Sequence, residues 1–197
     1  MSLPAPPPPA GFRPRPEVAL PDKFHLREDH EGLEISWRWF GLGAVFLVFF
    51  AIAWNSFLVF WYAMAVGGRA PWIMFVFPLI HVAVGVTIGY TAIAQLFNRT
   101  RIRVTFRDLI VDHAPLPWRG NRRVERAGIE QLYGKMKVSH GKNGTTTTYT
   151  LWMRIRDGKQ TQLIGSGLEE EQILALEQKL EAALQIADVP VPGEIAR

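Results

Sequence analysis

With 197 residues, the chain has room for one membrane hairpin and one soluble domain of about a hundred residues. It contains no cysteine, which excludes a disulfide framework, a thiolate metal site and a cysteine nucleophile. The net charge of +4 is unevenly spread: from Asn98 to Gly167 fourteen Lys/Arg face five Asp/Glu, whereas from Leu168 onward two face seven.

Residues 1–22 are rich in proline and carry no apolar run, so they do not read as a secretory signal. Pro6–Pro9 lack backbone donors, which predicts a disordered, partly polyproline tail. That tail is either a solvated spacer or a PxxP ligand. In the pre-membrane segment 23–38, Leu33, Ile35 and Trp37 alternate with Glu34, Ser36 and Arg38. Period two predicts a strand, with Phe24-His25-Leu26 pairing across a turn at Asp29 to Gly32. The other reading starts a membrane helix near Ile35.

Residues 39–97 hold two long apolar stretches, Trp39 to Gly67 and Ala70 to Phe97, split by Gly67-Gly68-Arg69. A hydrocarbon core about 30 Å thick needs roughly 20 apolar residues in a helix. A transmembrane helical hairpin is expected. Trp37, Trp39 and Phe40 mark one interface, and Trp61, Tyr62 and Trp72 the other. Arg38 and the basic residues after Phe97, against Arg69 alone in the turn, predict cytoplasmic N- and C-termini. Pro78 removes a donor from the second span and predicts a kink.

Folding the pair about Gly68 sets Asn55 opposite His81, Ala51 opposite Gly85 and Ala44 opposite Ala92. Gly85 and Gly89 form a small-xxx-small motif that permits close backbone approach. Asn55, His81, Ala51, Gly85 and Gly89 are therefore the expected intramembrane contact. Asn55 and His81 form either a structural clamp or an intramembrane functional site.

Residues 98–188 read as strands and one helix. Arg101 to Phe106 and Leu109 to His113 alternate about Arg107-Asp108, and Arg122 to Arg126 is a short strand or edge. Ile129 to Ser139 is longer, with a bulge expected at Gly134. Gly141-Lys142-Asn143-Gly144 predicts a hairpin turn into Thr145 to Arg156, and Asp157-Gly158 a second turn into Lys159 to Ile164. Ser166 with Glu169 predicts a capping box. It opens a helix whose face is Ile173, Leu176, Leu180 and Leu184. Residues 189–197 read as a tail.

Several features carry a resemblance. They are the hairpin, the exit strand Arg99-Thr100-Arg101-Ile102-Arg103-Val104-Thr105, Leu109-Ile110-Val111, Pro117-Trp118, and Gly128-Ile129-Glu130-Gln131-Leu132-Tyr133. Over about residues 39–186 the layout resembles bacterial membrane proteins with two transmembrane helices followed by a pleckstrin-homology-like (PH-like) domain. The resemblance implies a helical hairpin plus an α+β domain: a PH-like antiparallel β-barrel capped by a C-terminal amphipathic helix. It implies a bacterial inner-membrane address and no reaction. A typical PH domain has seven strands and a tryptophan in its last helix; here six strands follow the spans and that tryptophan is absent.

No catalytic constellation emerges. His25, His30, His81, His113 and His140 are scattered, and no Walker loop, GxSxG or GxGxxG occurs. No metal, cofactor or nucleic acid is expected, and the chain is not expected to be an enzyme. Gly165-Ser166-Gly167 reads as a loop and cap rather than an anion site. The basic residues are the candidate sites. Arg99, Arg101 and Arg103 are membrane-proximal. Arg119, Arg122, Arg123 and Arg126, then Lys135 and Lys137 with Lys142, could meet anionic lipid headgroups or an acidic protein partner, or simply enforce topology. The leading expectation is a non-enzymatic module that organises or regulates a complex at the cytoplasmic leaflet, with a membrane protein partner or a homo-oligomer. The alternative is an accessory subunit of a transporter, with Asn55 and His81 in an intramembrane site.

Overall fold

Alternation of apolar and polar residues on either side of the apolar stretches gives rise to strands in two groups. The computed structural model describes residues 18–141, 144–187, 189, 191 and 193–195. The Pro6–Pro9 run and Lys142 lie outside these residues. The chain divides into two compact units. A β unit comprises residues up to Trp37, Arg101–Asp112 and the chain from Arg119 onward; a helical unit comprises Arg38–Thr100 and His113–Trp118.

Five strands form one antiparallel sheet in the order β1 (His25–Asp29), β2 (Gly32–Arg38), β3 (Arg99–Thr105), β4 (Asp108–Ala114) and β5 (Arg122–Glu125). Leu26 pairs with Ile35 and Asp29 with Gly32, so the segment before the spans is a hairpin and not the start of a helix. Gly32 is required at its turn. Its φ is +139°, and a Cβ there would lie 2.0 Å from the Val104 carbonyl oxygen. Three further strands, β6 (Ile129–Gly141), β7 (Gly144–Ile155) and β8 (Gln160–Leu168), form a second antiparallel sheet. Helix α4 (Glu170–Leu184) follows.

Inward residues of both sheets and the α4 stripe make one core. It includes Leu33, Ile35, Ile102, Val104, Leu109, Leu132, Leu151, Met153, Ile173, Leu176 and Leu180. The sheets do not close into the expected barrel. β5 has only four residues and runs into a 3-10 turn at Arg126–Gly128, after which β6 opens a separate sheet. Six strands follow the long helices, as read from the sequence, and β1 and β2 bring the total among the described residues to eight.

Three local expectations are corrected. The cap of α4 is Glu169, whose side chain accepts from the helix backbone while Gln172 reaches back to the Glu169 N–H. The Ser166 box fails because β8 continues to Leu168: Gly165-Ser166-Gly167 is not a loop but lies in the strand, where the register with β7 shifts and Gly167 takes φ +111°. Gly134 marks no bulge; the shift in β6 lies between Ile129 and Gln131. Gly134 instead leaves room for its neighbours, since a Cβ would lie 2.8 Å from Ile195 and 2.9 Å from Ile173. Of the described residues after α4, which were expected as a tail, Val191 and Ile195 are buried, and the Ile195 N–H donates to the Gly134 carbonyl. At the other end, the Val18 N–H donates to Gln178 and Leu20 packs on the core.

In the helical unit, α1 spans Leu42–Gly67, and the second apolar stretch is split into α2 (Ile73–Val76) and α3 (Leu79–Phe97). Both stretches are long and apolar enough to cross a membrane. A core helix of a soluble protein would be mostly buried, whereas only 17% and 11% of their most apolar windows are.

Candidate functional site

The two apolar stretches meet along a mostly small-residue seam at seven-residue spacing. Ala44, Ala51, Leu58 and Ala65 are buried on α1, and Pro78, Gly85 and Ala92 on the other side. A repeat of seven is the left-handed helix-pairing period. Gly85 is the closest approach: a Cβ there would lie 2.8 Å from Asn55 Oδ1 and 3.2 Å from Leu58 Cδ1. A Cβ at Gly89 would meet nothing within 4 Å, so this glycine takes no part in the approach.

Asn55 does not pair with His81. Its Nδ2 donates to the Ala51 carbonyl at 2.7 Å and to the Gly85 carbonyl at 3.3 Å. The register is about one turn from that expected, because the helices break from Gly68 to Trp72 and not at Gly68 alone. His81 stacks on Trp54 at 6.0 Å and packs near Phe77 at 5.6 Å, and its buried Nδ1 has no hydrogen-bond partner among the described residues.

The Pro78 break has a repair. Proline leaves the Met74 carbonyl without its helical donor. The Trp61 indole donates to that oxygen at 3.0 Å, and the Tyr62 hydroxyl donates to the Phe75 carbonyl at 3.1 Å. These rings, expected as interface markers, are also hydrogen-bond donors between helices. Near the opposite end, Asn98 is buried and holds Leu116 through both amide atoms, at 2.8 and 3.1 Å. Trp39 donates to Thr100, whose hydroxyl contacts His113 Nδ1. Trp118 lies edge-on to Trp39 and parallel to Tyr90.

The basic residues of the β unit separate into engaged and unengaged groups. Glu34 on β2 binds Arg101 at 3.1 Å and Arg103 at 3.3 Å, the second with hydrogen-bond geometry. Two of the three membrane-proximal arginines are thus partly neutralised by one carboxylate; Arg99 is exposed. Arg122 and Arg123 are adjacent on β5 and so point to opposite faces, which prevents one four-arginine patch. Arg123 binds Asp108 at 2.6 Å, and this hydrogen bond and charge raise its pKa further. Arg126 donates to the Leu184 carbonyl at 2.9 Å. Lys135 contacts Gln160 and lies 4.4 Å from the centre of the Trp152 ring. Arg119, Arg122 and Lys137 are exposed, and none forms an ion pair among the described residues.

A cavity of about 720 Å³ is lined by Arg126 with Arg107 and Arg156, together with the exposed Phe106. Nothing in the sequence signals this meeting, because the three come from the β3–β4 turn, the turn after β5 and the turn after β7. Backbone bonds from Arg126 N to Arg107 O (2.7 Å) and from Arg156 N to Gly128 O (3.0 Å) tie those segments together. Among the described residues no three His, Asp or Glu side chains are grouped to hold a metal ion. No protein-family model matches the chain, and no curated protein is significantly similar to it.

Proposed function

We propose that the chain is a membrane-anchored, non-enzymatic module whose β unit engages anionic headgroups or an acidic protein surface at the cytoplasmic leaflet. The observation that carries this reading is the pairing of two differently exposed surfaces in one chain. The long helices expose aliphatic and aromatic side chains along most of their length, with Leu42 at 92% and Phe49 at 77%. Such faces need hydrocarbon around them. The β unit carries exposed cationic groups, Arg119, Arg122 and Lys137, not consumed by ion pairs among the described residues. Each such charge near an anionic leaflet contributes roughly 1 kcal/mol. The Arg-rich flanks support a bacterial-type inner-membrane topology with both termini cytoplasmic. The two sheets and α4 support a PH-like arrangement in an open form.

The test uses the full chain in nanodiscs of phosphatidylcholine, mixed with vesicles containing phosphatidylserine. Capture is expected at low salt and is lost at 1 M salt, where the Debye length is about 3 Å. Replacing Arg119, Arg122 and Lys137 with Gln together reduces capture. Absence of capture at low salt removes lipid recognition and leaves an acidic protein as the partner. The accessory-subunit reading rests on the unpartnered His81 Nδ1, since the Asn55 amide is already used within the hairpin.

A further inference from the structure

The cavity that includes Phe106 in its lining brings three arginines, Arg107, Arg126 and Arg156, into one concave surface. Arg126 is held by its bond to Leu184 O, which occupies one of five donors and leaves the remaining fork available. Arg107 and Arg156 have no ion-pair or hydrogen-bond partner for their side chains among the described residues. Two carboxylates also line the cavity. Asp108 is neutralised by Arg123 at 2.6 Å, and Glu125 is not. The balance is positive, and an arginine fork matches a phosphate oxygen pair in geometry as well as charge. At about 720 Å³ the cavity falls within the roughly 300–1,000 Å³ usual for small-ligand sites.

A second cavity sets the size limit. It shares Phe106, Arg126 and Gln185 with the first, and its lining includes Lys179, the carboxylates Glu28 and Glu31, and Asp29, which is paired with Arg27 at 3.7 Å. A ligand with several phosphates, extending from the arginines, would meet the carboxylates of Glu28 and Glu31. A ligand with one phosphate would not. The exposed Phe106 ring, at 79% accessible, offers an apolar contact for whatever the phosphate is attached to.

We propose that Arg107, Arg126 and Arg156 form a binding site for a single-phosphate ester, with Glu125, Glu28 and Glu31 selecting against polyphosphates. This deepens the reading above and rests on it for the membrane setting. The shared chemistry is a phosphomonoester, supplied either by a lipid headgroup or by a soluble metabolite.

Calorimetry on the full chain in phosphatidylcholine nanodiscs tests it, with three probes: dioctanoyl phosphatidic acid, glycerol 3-phosphate and tripolyphosphate. Either monophosphate is expected to bind at least tenfold more tightly than tripolyphosphate. Binding of both assigns a general phosphoester site, and binding of the lipid alone assigns a headgroup site. Arg107→Gln with Arg156→Gln weakens binding at least tenfold, while Glu125→Gln strengthens it severalfold. The second variant has the opposite sign, so misfolding cannot imitate both results. Tripolyphosphate binding as tightly as the monophosphates, an unchanged affinity in the double variant, or no binding of either monophosphate overturns the proposal. Vesicle capture through Arg119, Arg122 and Lys137 is a separate measurement, and its absence with the calorimetry intact would remove leaflet capture from the general reading and leave the phosphomonoester site standing.

Discussion

The two units of this chain are held together by different means. The β unit buries aliphatic side chains from two sheets and a helix in one core, where Ile35, Leu109, Leu151 and Leu176 have no exposure. The helical unit exposes most of its large side chains and, apart from Leu58 and Pro78, buries mainly alanine and glycine. Its specific contacts are side-chain donors reaching backbone carbonyls: Trp54 to His81, Asn55 to Gly85, Trp61 to Met74 and Tyr62 to Phe75. The reason is the solvent each is built for. Burying a large apolar group drives association in water, whereas lipid tails already satisfy it, leaving close packing and hydrogen bonds to join helices.

That contrast gives the ordering of mutational effects. Leu176→Asp places an unpartnered carboxylate in the β core and should cost about 4 kcal/mol or more. Urea unfolding of the full chain in detergent should lose the cooperative β transition while the helical circular dichroism of the hairpin persists. Simultaneous loss of both would mean that the two units share one cooperative transition. Gly85→Leu and Gly134→Leu sharpen the comparison, because each fills a space that its neighbours occupy. Overpacking of this kind costs about 1–3 kcal/mol. The first should abolish crosslinking between cysteines placed at Trp54 and His81, whose rings stack, without lowering the β-unit midpoint, and the second should do the reverse.

Trp61→Phe keeps the ring and removes the donor to Met74 O. A loss of about 0.6–1.7 kcal/mol is expected, read from hairpin unfolding in detergent. Arg103→Gln should change stability by less than about 1 kcal/mol, since partly exposed ion pairs contribute little. The smallest effect concerns pH. Tyr149 is hydrogen-bonded to Glu170, and that bond, ahead of desolvation, raises its pKa above the usual 10.0. A raised pKa means stability fully present below pH 10.0 and lost as pH rises through the folded value. Tyr149→Phe should flatten the alkaline limb of the melting curve. Lys23 has the opposite sign: burial lowers its pKa from 10.5, so its contribution improves as pH climbs toward 10.5.

The elements themselves could be read from periodicity. Leu33, Ile35 and Trp37 announced β2, and Ile173, Leu176, Leu180 and Leu184 announced α4, because burial imposes periods of two and 3.6 on the residues. Pairing between elements was less legible. The hairpin register depended on how many residues the turn consumes, and Gly68 alone could not reveal that the break extends to Trp72. The α4 cap moved because Glu169 and Gln172 form as good a box as Ser166 and Glu169, and the extent of β8 decided between them. The arginine cavity was illegible. Arg107, Arg126 and Arg156 lie far apart in sequence, and only the sheet topology brings them to one opening.

The repaired break at Pro78 also has an evolutionary consequence. A proline that strands the Met74 carbonyl, the Trp61 indole that rescues it and the Tyr62 hydroxyl on the next carbonyl constitute a dependent set, so their substitutions are not independent events. Losing Trp61 or Tyr62 first leaves an orphaned oxygen facing hydrocarbon. Losing Pro78 first lets the helix reclaim its own oxygens and releases both rings from their task. Drift through this part of the chain therefore has a preferred direction: the proline goes before the aromatic pair, and descendants that retain the proline retain the donors.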